Sequence, residues 1–189
     1  MDLKLLSAPF PSEDVEWRIG RAGKTNDNIW ASCLAYINNR AIMNRLDEVC
    51  GPENWKNEFS PGPAGGIVCG ISIRIPQKLT KTGGVVHESY WVTKWDGAEN
   101  TDIESVKGGL SDAMKRAAVQ WGIGRYLYNL TEGWATIVDI KDKKAHSGSY
   151  KDKESGKTVW FRWDPPSLPH WALPEKETEE KMSKLASQS

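Results

Sequence analysis

Two hydrophobic periods alternate along this chain and divide it into strands and helices. Val15, Trp17 and Ile19 alternate with Glu16 and Arg18, the period of two that marks a half-buried strand. Gly20 to Asn28 reads as a polar, glycine-containing turn, and Ile29 to Ile37 as a second strand, although its alanines also fit a helix. From Asn38 the period changes, with Ile42, Leu46, Val49 and Cys50 falling on one helical face. Asn38 or Asn39 supplies the N-cap, and Gly51-Pro52 the C-cap and stop. Arg40, Asn44 and Arg45 lie off the apolar stripe.

Trp55 to Phe59 predicts a short strand, followed by a loop rich in proline and glycine. Ile67, Cys69, Ile71, Ile73 and Ile75 then alternate with Val68, Gly70, Ser72 and Arg74, the clearest strand of the chain. Thr82-Gly83-Gly84 turns it back, and Val85 to Trp95 returns as an antiparallel partner. A three-stranded meander from Trp55 to Trp95 is therefore expected. Thr101 to Glu104 has the form of a capping box, opening a helix that runs to about Trp121. Val106, Leu110, Ala113, Met114, Ala117 and Trp121 make its apolar stripe. Gly108-Gly109 within it costs roughly 1 kcal/mol per glycine relative to alanine, which points to close packing there. Gly122 and Gly124 end the helix, and Arg125 to Leu130 forms a further short turn or helix.

Beyond Gly133, Trp134 to Ile140 and Thr158 to Trp163 predict a hairpin across the lysine-rich loop from Lys141 to Lys157. The fold class is α+β: a β-β-β-α core, the antiparallel meander packed on a long helix, with an additional N-terminal strand-helix unit. Residues 1–174 make one domain, of which 131–174 is a C-terminal hairpin extension. Residues 175–189 show no apolar period and read as a disordered charged tail.

Composition narrows the class. Of 189 residues, 39% are hydrophobic and 26% charged, ordinary for a globular chain that buries a core. Lys+Arg and Asp+Glu both number 25, so the basic excess usual in nucleic-acid-binding domains is missing. No run approaches the roughly 18 apolar residues of a membrane span, and no signal peptide is indicated, so no membrane partner is expected. Cys33, Cys50 and Cys69 are odd in number and widely spaced, which reads as buried, reduced and cytosolic.

Candidate chemistry is sparse. There is no G-x-S-x-G, Walker loop or H-E-x-x-H, and His87, His146 and His170 are scattered. Asp96, Glu99, Asp102 and Glu104 form an acidic cluster that a Mg²⁺-dependent nuclease could use. The stronger reading places Asp102 and Glu104 in the first helical turn, where carboxylates favour the macrodipole. Ten tryptophans suit a carbohydrate or protein interaction module, a base-stacking surface or, as Trp17, Trp55 and Trp121 suggest, the core. Trp91 and Trp95 share one strand face with Thr93 and are candidates for a partly exposed surface. Lys115 and Arg116 project away from the Met114 stripe, beside Ser111 and Asp112. A groove built from these and from Arg40 and Arg45 would hold phosphates by charge without reading sequence.

Taken together, the motifs carry a resemblance. Tyr36-Ile37-Asn38-Asn39-Arg40, continuing through Asn44 and Glu48 to Gly51-Pro52-Glu53-Asn54-Trp55, resembles the first signature of the Rad52-type single-strand annealing proteins. Ser111-Asp112-Ala113-Met114-Lys115-Arg116-Ala117, ending in Trp121-Gly122, resembles the second. Leu6 to Pro11 and Trp95 to Asn100 are similar to the phage Sak-like and bacterial DdrA-like branch. The likeness covers residues 5–130.

The resemblance implies an annealing protein rather than an enzyme, working without nucleotide or other cofactor in double-strand-break repair and homologous recombination. It implies copies assembled side by side into a ring or helical array, with single-stranded DNA in a positive groove around it. Lys115 and Arg116 match the family's groove-lining basic pair, and Lys107 matches a further basic position. A family arginine in the first helix falls on Ala41, a later one on Val119, and an aromatic on Pro52. Arg40, Arg45 and Arg125 are the candidates to replace the missing charges. Beyond single-stranded DNA and further copies of the chain, the partners to consider are a host single-strand-binding protein, which the glutamate-rich tail could touch, and a phage exonuclease. The expected location is the cytoplasm of a bacterial or phage-infected cell, on DNA.

Overall fold

The computed structural model describes residues 1–26, 28–81, 84–99, 105–130 and 133–179, with the side chains of residues 64, 78–81, 84–87 and 105–107 outside that description. It is a mixed α+β chain with antiparallel sheets, divided into two compact units. One unit joins residues 1–8 to 37–126; the other joins 9–36 to 127–189. Each unit is thus built from two separate stretches of the chain.

In the first unit, helix α1 (Asn39–Cys50) starts where the Asn38 side chain accepts from the Ala41 N–H at 2.9 Å, so Asn38 is the N-cap. Gly51, at φ 84°, ends it by donating its N–H to the Asp47 carbonyl. Ile42, Leu46 and Cys50 are buried as the period predicts. Strands β3 (Trp55–Pro61), β4 (Ile67–Lys81) and β5 (Gly84–Ala98) then form the expected antiparallel meander. Its hairpin extends beyond the predicted strand ends, with Ile67 facing Ala98 and Lys81 facing Gly84.

Helix α2 (Ser105–Gln120) packs on one face of this sheet. Cys69, Ile71 and Ile73 are fully buried on that face, as are Ala113, Ala117 and Ala118 on the helix. Small helical side chains allow the close approach, so the contact is made by alanines against isoleucines. Trp121 locks the end by donating its indole N–H to the Ile71 carbonyl at 2.9 Å. Gly122 and Gly124 both have positive φ, and a Cβ on Gly122 would meet Ser7 at 3.1 Å. The capping box at 101–104 lies outside the described residues.

The second unit overturns part of the expected layout. Strand β1 (Val15–Thr25) runs through the predicted turn and pairs with β2 (Asn28–Ile37), which pairs in turn with the short β6 (Gly133–Trp134). The N-terminal strands therefore belong with C-terminal chain and do not form a strand-helix unit with α1. Gly20 and Gly23 explain why a glycine-rich stretch stays extended: Leu34 and Trp30 lie across them. The predicted C-terminal hairpin is present as β7 (Thr136–Val138) paired antiparallel with β9 (Thr158–Asp164), and β8 (His146–Lys151) adds a third strand on the other edge of β9. Strand β8 comes from the predicted loop. Its Gly148 sits under the Phe161 ring, where a Cβ would stand 2.7 Å from that side chain. Ala31, Cys33, Phe161 and Trp163 make this unit's core.

Residues 175–179, expected in the disordered tail, form a turn of helix, and Glu177 accepts from the Ser12 N–H at 3.0 Å. All three cysteines are buried and unbridged, and burial pushes the Cys69 thiol up to about 11. Among the described residues no helix is long and apolar enough to cross a membrane.

Candidate nucleic-acid interface

At 100° per residue, the buried positions 113, 114, 117 and 118 define one side of α2, and Lys115 and Arg116 fall on the two shoulders of the other. Lys115 Nζ lies 3.4 Å from Asp112, one turn earlier on the same helix. Arg116 reaches sideways to the sheet, its Nε 3.1 Å from Asp96 Oδ1 on β5. The Arg116 side chain is 56% exposed, so its charge faces solvent. Both pairs are of the exposed kind that contribute about 0–1 kcal/mol, weak enough to exchange for a phosphate.

Asp96 is the hub of this arrangement. It accepts from Arg116, from Gln120 Nε2 at 3.2 Å and from the Gly97 N–H at 2.8 Å. Burial alone would raise its pKa, but the Gln120, Gly97 and Arg116 hydrogen bonds and the Arg116 charge outweigh it and hold the carboxyl below its ordinary value. The lowered value means the pair's stabilisation is complete above the ordinary carboxylate value of 3.8 and is lost as pH falls through the folded value. Asp96 is thus a counter-ion for Arg116. Glu99 is exposed, Asp102 and Glu104 lie outside the described residues, and no metal-type cluster occurs among the described residues.

The other predicted basic residues separate. Arg40 is exposed on the first turn of α1. Arg45 is not part of a surface groove. It is 9% exposed, and its Nη1 donates to the carbonyls of Leu5 at 3.1 Å and Ala8 at 2.8 Å, tying the N-terminal 3-10 turn (Leu3–Ser7) to α1. Arg125 is exposed but committed, donating to the carbonyls of Val119 at 2.8 Å and Gln120 at 2.9 Å as a cap on the C-terminus of α2. Lys107 is on α2, with its side chain outside the described residues.

Sequence reasoning passed over Lys94. Its Nζ donates to the Gln120 carbonyl at 2.8 Å and lies 4.5 Å from the Trp121 ring centroid, so Lys94 and Arg125 together neutralise the negative end of α2. The available signal was register: Lys94 is the partner of Ile71, which turns it to the helix side of the sheet. The tryptophans also depart from the core reading. Six of the ten are more than a third exposed, including Trp91 and Trp95, whose exposure the strand alternation had indicated.

Comparison with known proteins gives three findings. A family model described as Rad52/22 family double-strand break repair protein matches residues 3–146. A single-stranded DNA-binding protein DdrA of Deinococcus deserti is 34% identical over 174 residues, 92% of this chain and 71% of that protein. Its namesake from Deinococcus radiodurans is 34% identical over 177 residues, 92% of this chain and 68% of that protein. No solved structure matches the chain.

Proposed function

Because the chain belongs to the Rad52/22 family of double-strand break repair proteins, we propose that it binds single-stranded DNA and anneals complementary strands. The observation that carries this reading is the outward face of α2, where Lys115 and Arg116 stand in exchangeable ion pairs with Asp112 and Asp96. Phosphates replace those carboxylates, while the bases of the bound strand face outward. A second strand can then test pairing against a strand already extended. Stacking, averaging about 1.4 kcal/mol per step, supplies the driving force, so no nucleotide hydrolysis is needed. The protein contributes proximity and reduced repulsion, with no bond made or broken.

Each protomer offers few cations, and Asp112 and Asp96 offset them, in keeping with a net charge of zero. Repetition resolves this: copies assembled in a ring or helical array turn a weak site into high avidity. Arg40, exposed on α1, extends the groove of each copy, which acts on DNA in the cytoplasm.

Three results test this reading. Mixed with complementary oligonucleotides and no nucleotide, the protein is expected to accelerate pairing in a strand-hybridisation assay, and labelled DNA incubated with Mg²⁺ should keep its length. Shortened DNA would favour a nuclease instead. Replacing the counter-ion, Asp96→Asn, is expected to tighten single-strand binding at neutral pH, by up to about five-fold on the worth of an exposed pair. Weaker binding in that variant would contradict the role given to Arg116.

A further inference from the structure

The face of the meander turned away from α2 is built differently from a core. Strand alternation places Lys56 of β3, Gly70, Ser72 and Arg74 of β4, and Trp91 and Trp95 of β5 on this side. Both indoles are 47% exposed. Trp95 lies flat on the sheet over Gly70, where a Cβ would stand 2.7 Å from the ring. Trp91 stands opposite Arg74, and Lys56 Nζ is 5.6 Å from its ring centroid while pairing with Glu58 at 2.8 Å. Between them the Ser72 and Thr93 hydroxyls bond each other at 2.8 Å, so the floor of the patch is already satisfied.

We propose that this face is a base-stacking platform for single-stranded DNA: Trp91 and Trp95 take bases on their open ring faces, and Lys56 and Arg74 meet the adjoining phosphates. Four residues of strand separate the indoles by about 13 Å, so they engage two separate bases of one extended strand. Trp95, lying flat on the sheet, offers a π-surface that any base can cover, whatever its sequence, and at Trp91 the base takes the ring surface that Lys56 leaves exposed. Stacking uses the flat face of the base and leaves its pairing edge free, so a strand held here remains competent to anneal. Lys56 and Arg74 set cations beside the indoles, the complement of an anionic strand that carries flat bases. The proposal rests on the chain being a single-strand binder, but it uses the opposite side of the sheet from Lys115 and Arg116.

The test compares a 20-nucleotide thymidine strand with an abasic strand of equal length by fluorescence anisotropy, using the full chain. The two carry the same phosphates. The wild type is expected to prefer thymidine by ten-fold or more. Trp91→Ala with Trp95→Ala should bring that preference close to one while leaving abasic-strand affinity unchanged, and the double phenylalanine variant should keep most of it. Equal wild-type affinity for the two strands would overturn the proposal without any variant, and would leave the phosphate reading of α2 standing. A changed assembly size in the phenylalanine variant on gel filtration would also overturn it, assigning the face to contacts between copies. Failure of the α2 reading shows separately, as unchanged abasic-strand affinity after Lys115→Ala with Arg116→Ala.

Discussion

Replacing Lys115 and Arg116 together with alanine is expected to weaken single-strand binding by more than about a hundred-fold. Hydrogen bonds to charged groups are worth about 1.5–3 kcal/mol each, so two lost phosphate contacts already reach that size within a single protomer. Repetition along an assembly enlarges it. The fold should survive the change. Both residues lie on the solvent side of α2, their ion pairs are exposed, and alanine is the best helix former. Thermal melting and gel filtration should therefore match the wild type while anisotropy titration shows the loss. Unchanged affinity would place the phosphate site elsewhere.

Arg45→Ala is expected to do the reverse, lowering stability and sparing DNA affinity. Its buried guanidinium donates to the Leu5 and Ala8 carbonyls, and alanine can make neither bond. Loss of charged hydrogen bonds at a buried site predicts about 2–4 kcal/mol of destabilisation. For a chain of this size that lowers the melting temperature by roughly 5–15 °C. At low temperature, where the variant remains folded, its anisotropy titration should overlay the wild type. A DNA defect without a melting shift would return Arg45 to the groove.

Arg45 also marks where sequence reading stopped. A helical wheel shows that it lies off the Ile42–Leu46–Cys50 stripe, but not that the N-terminal 3-10 turn covers that side of α1 and presents carbonyls to it. Local features were legible because their causes are local. The Asn38 cap, the Gly51 stop, the alternation of Ile67 to Ile75 and the glycines after α2 each act within a few residues. The pairing of β2 with β6 joins residues about a hundred positions apart, and nothing within either strand announces its partner. Strand β8 was missed for another reason. His146 to Lys151 carries no apolar alternation, and its place is set by Phe161 pressing on Gly148. At the site, Lys115 and Arg116 were readable as outward-facing, whereas the carboxylate partner of Arg116 on β5 depends on the packing of α2 against the sheet. Arg125 looked like a free cation until the end of α2 supplied it with carbonyls.

If the face of α2 grips phosphates by charge, the salt dependence of binding reports that grip. Each single-strand phosphate contact contributes about −0.7 to the slope of log affinity against log salt. The wild type should bind more weakly as salt rises, and Lys115→Ala with Arg116→Ala should flatten the slope by about 1.4 for each protomer engaged. A slope identical in the two proteins would contradict the account.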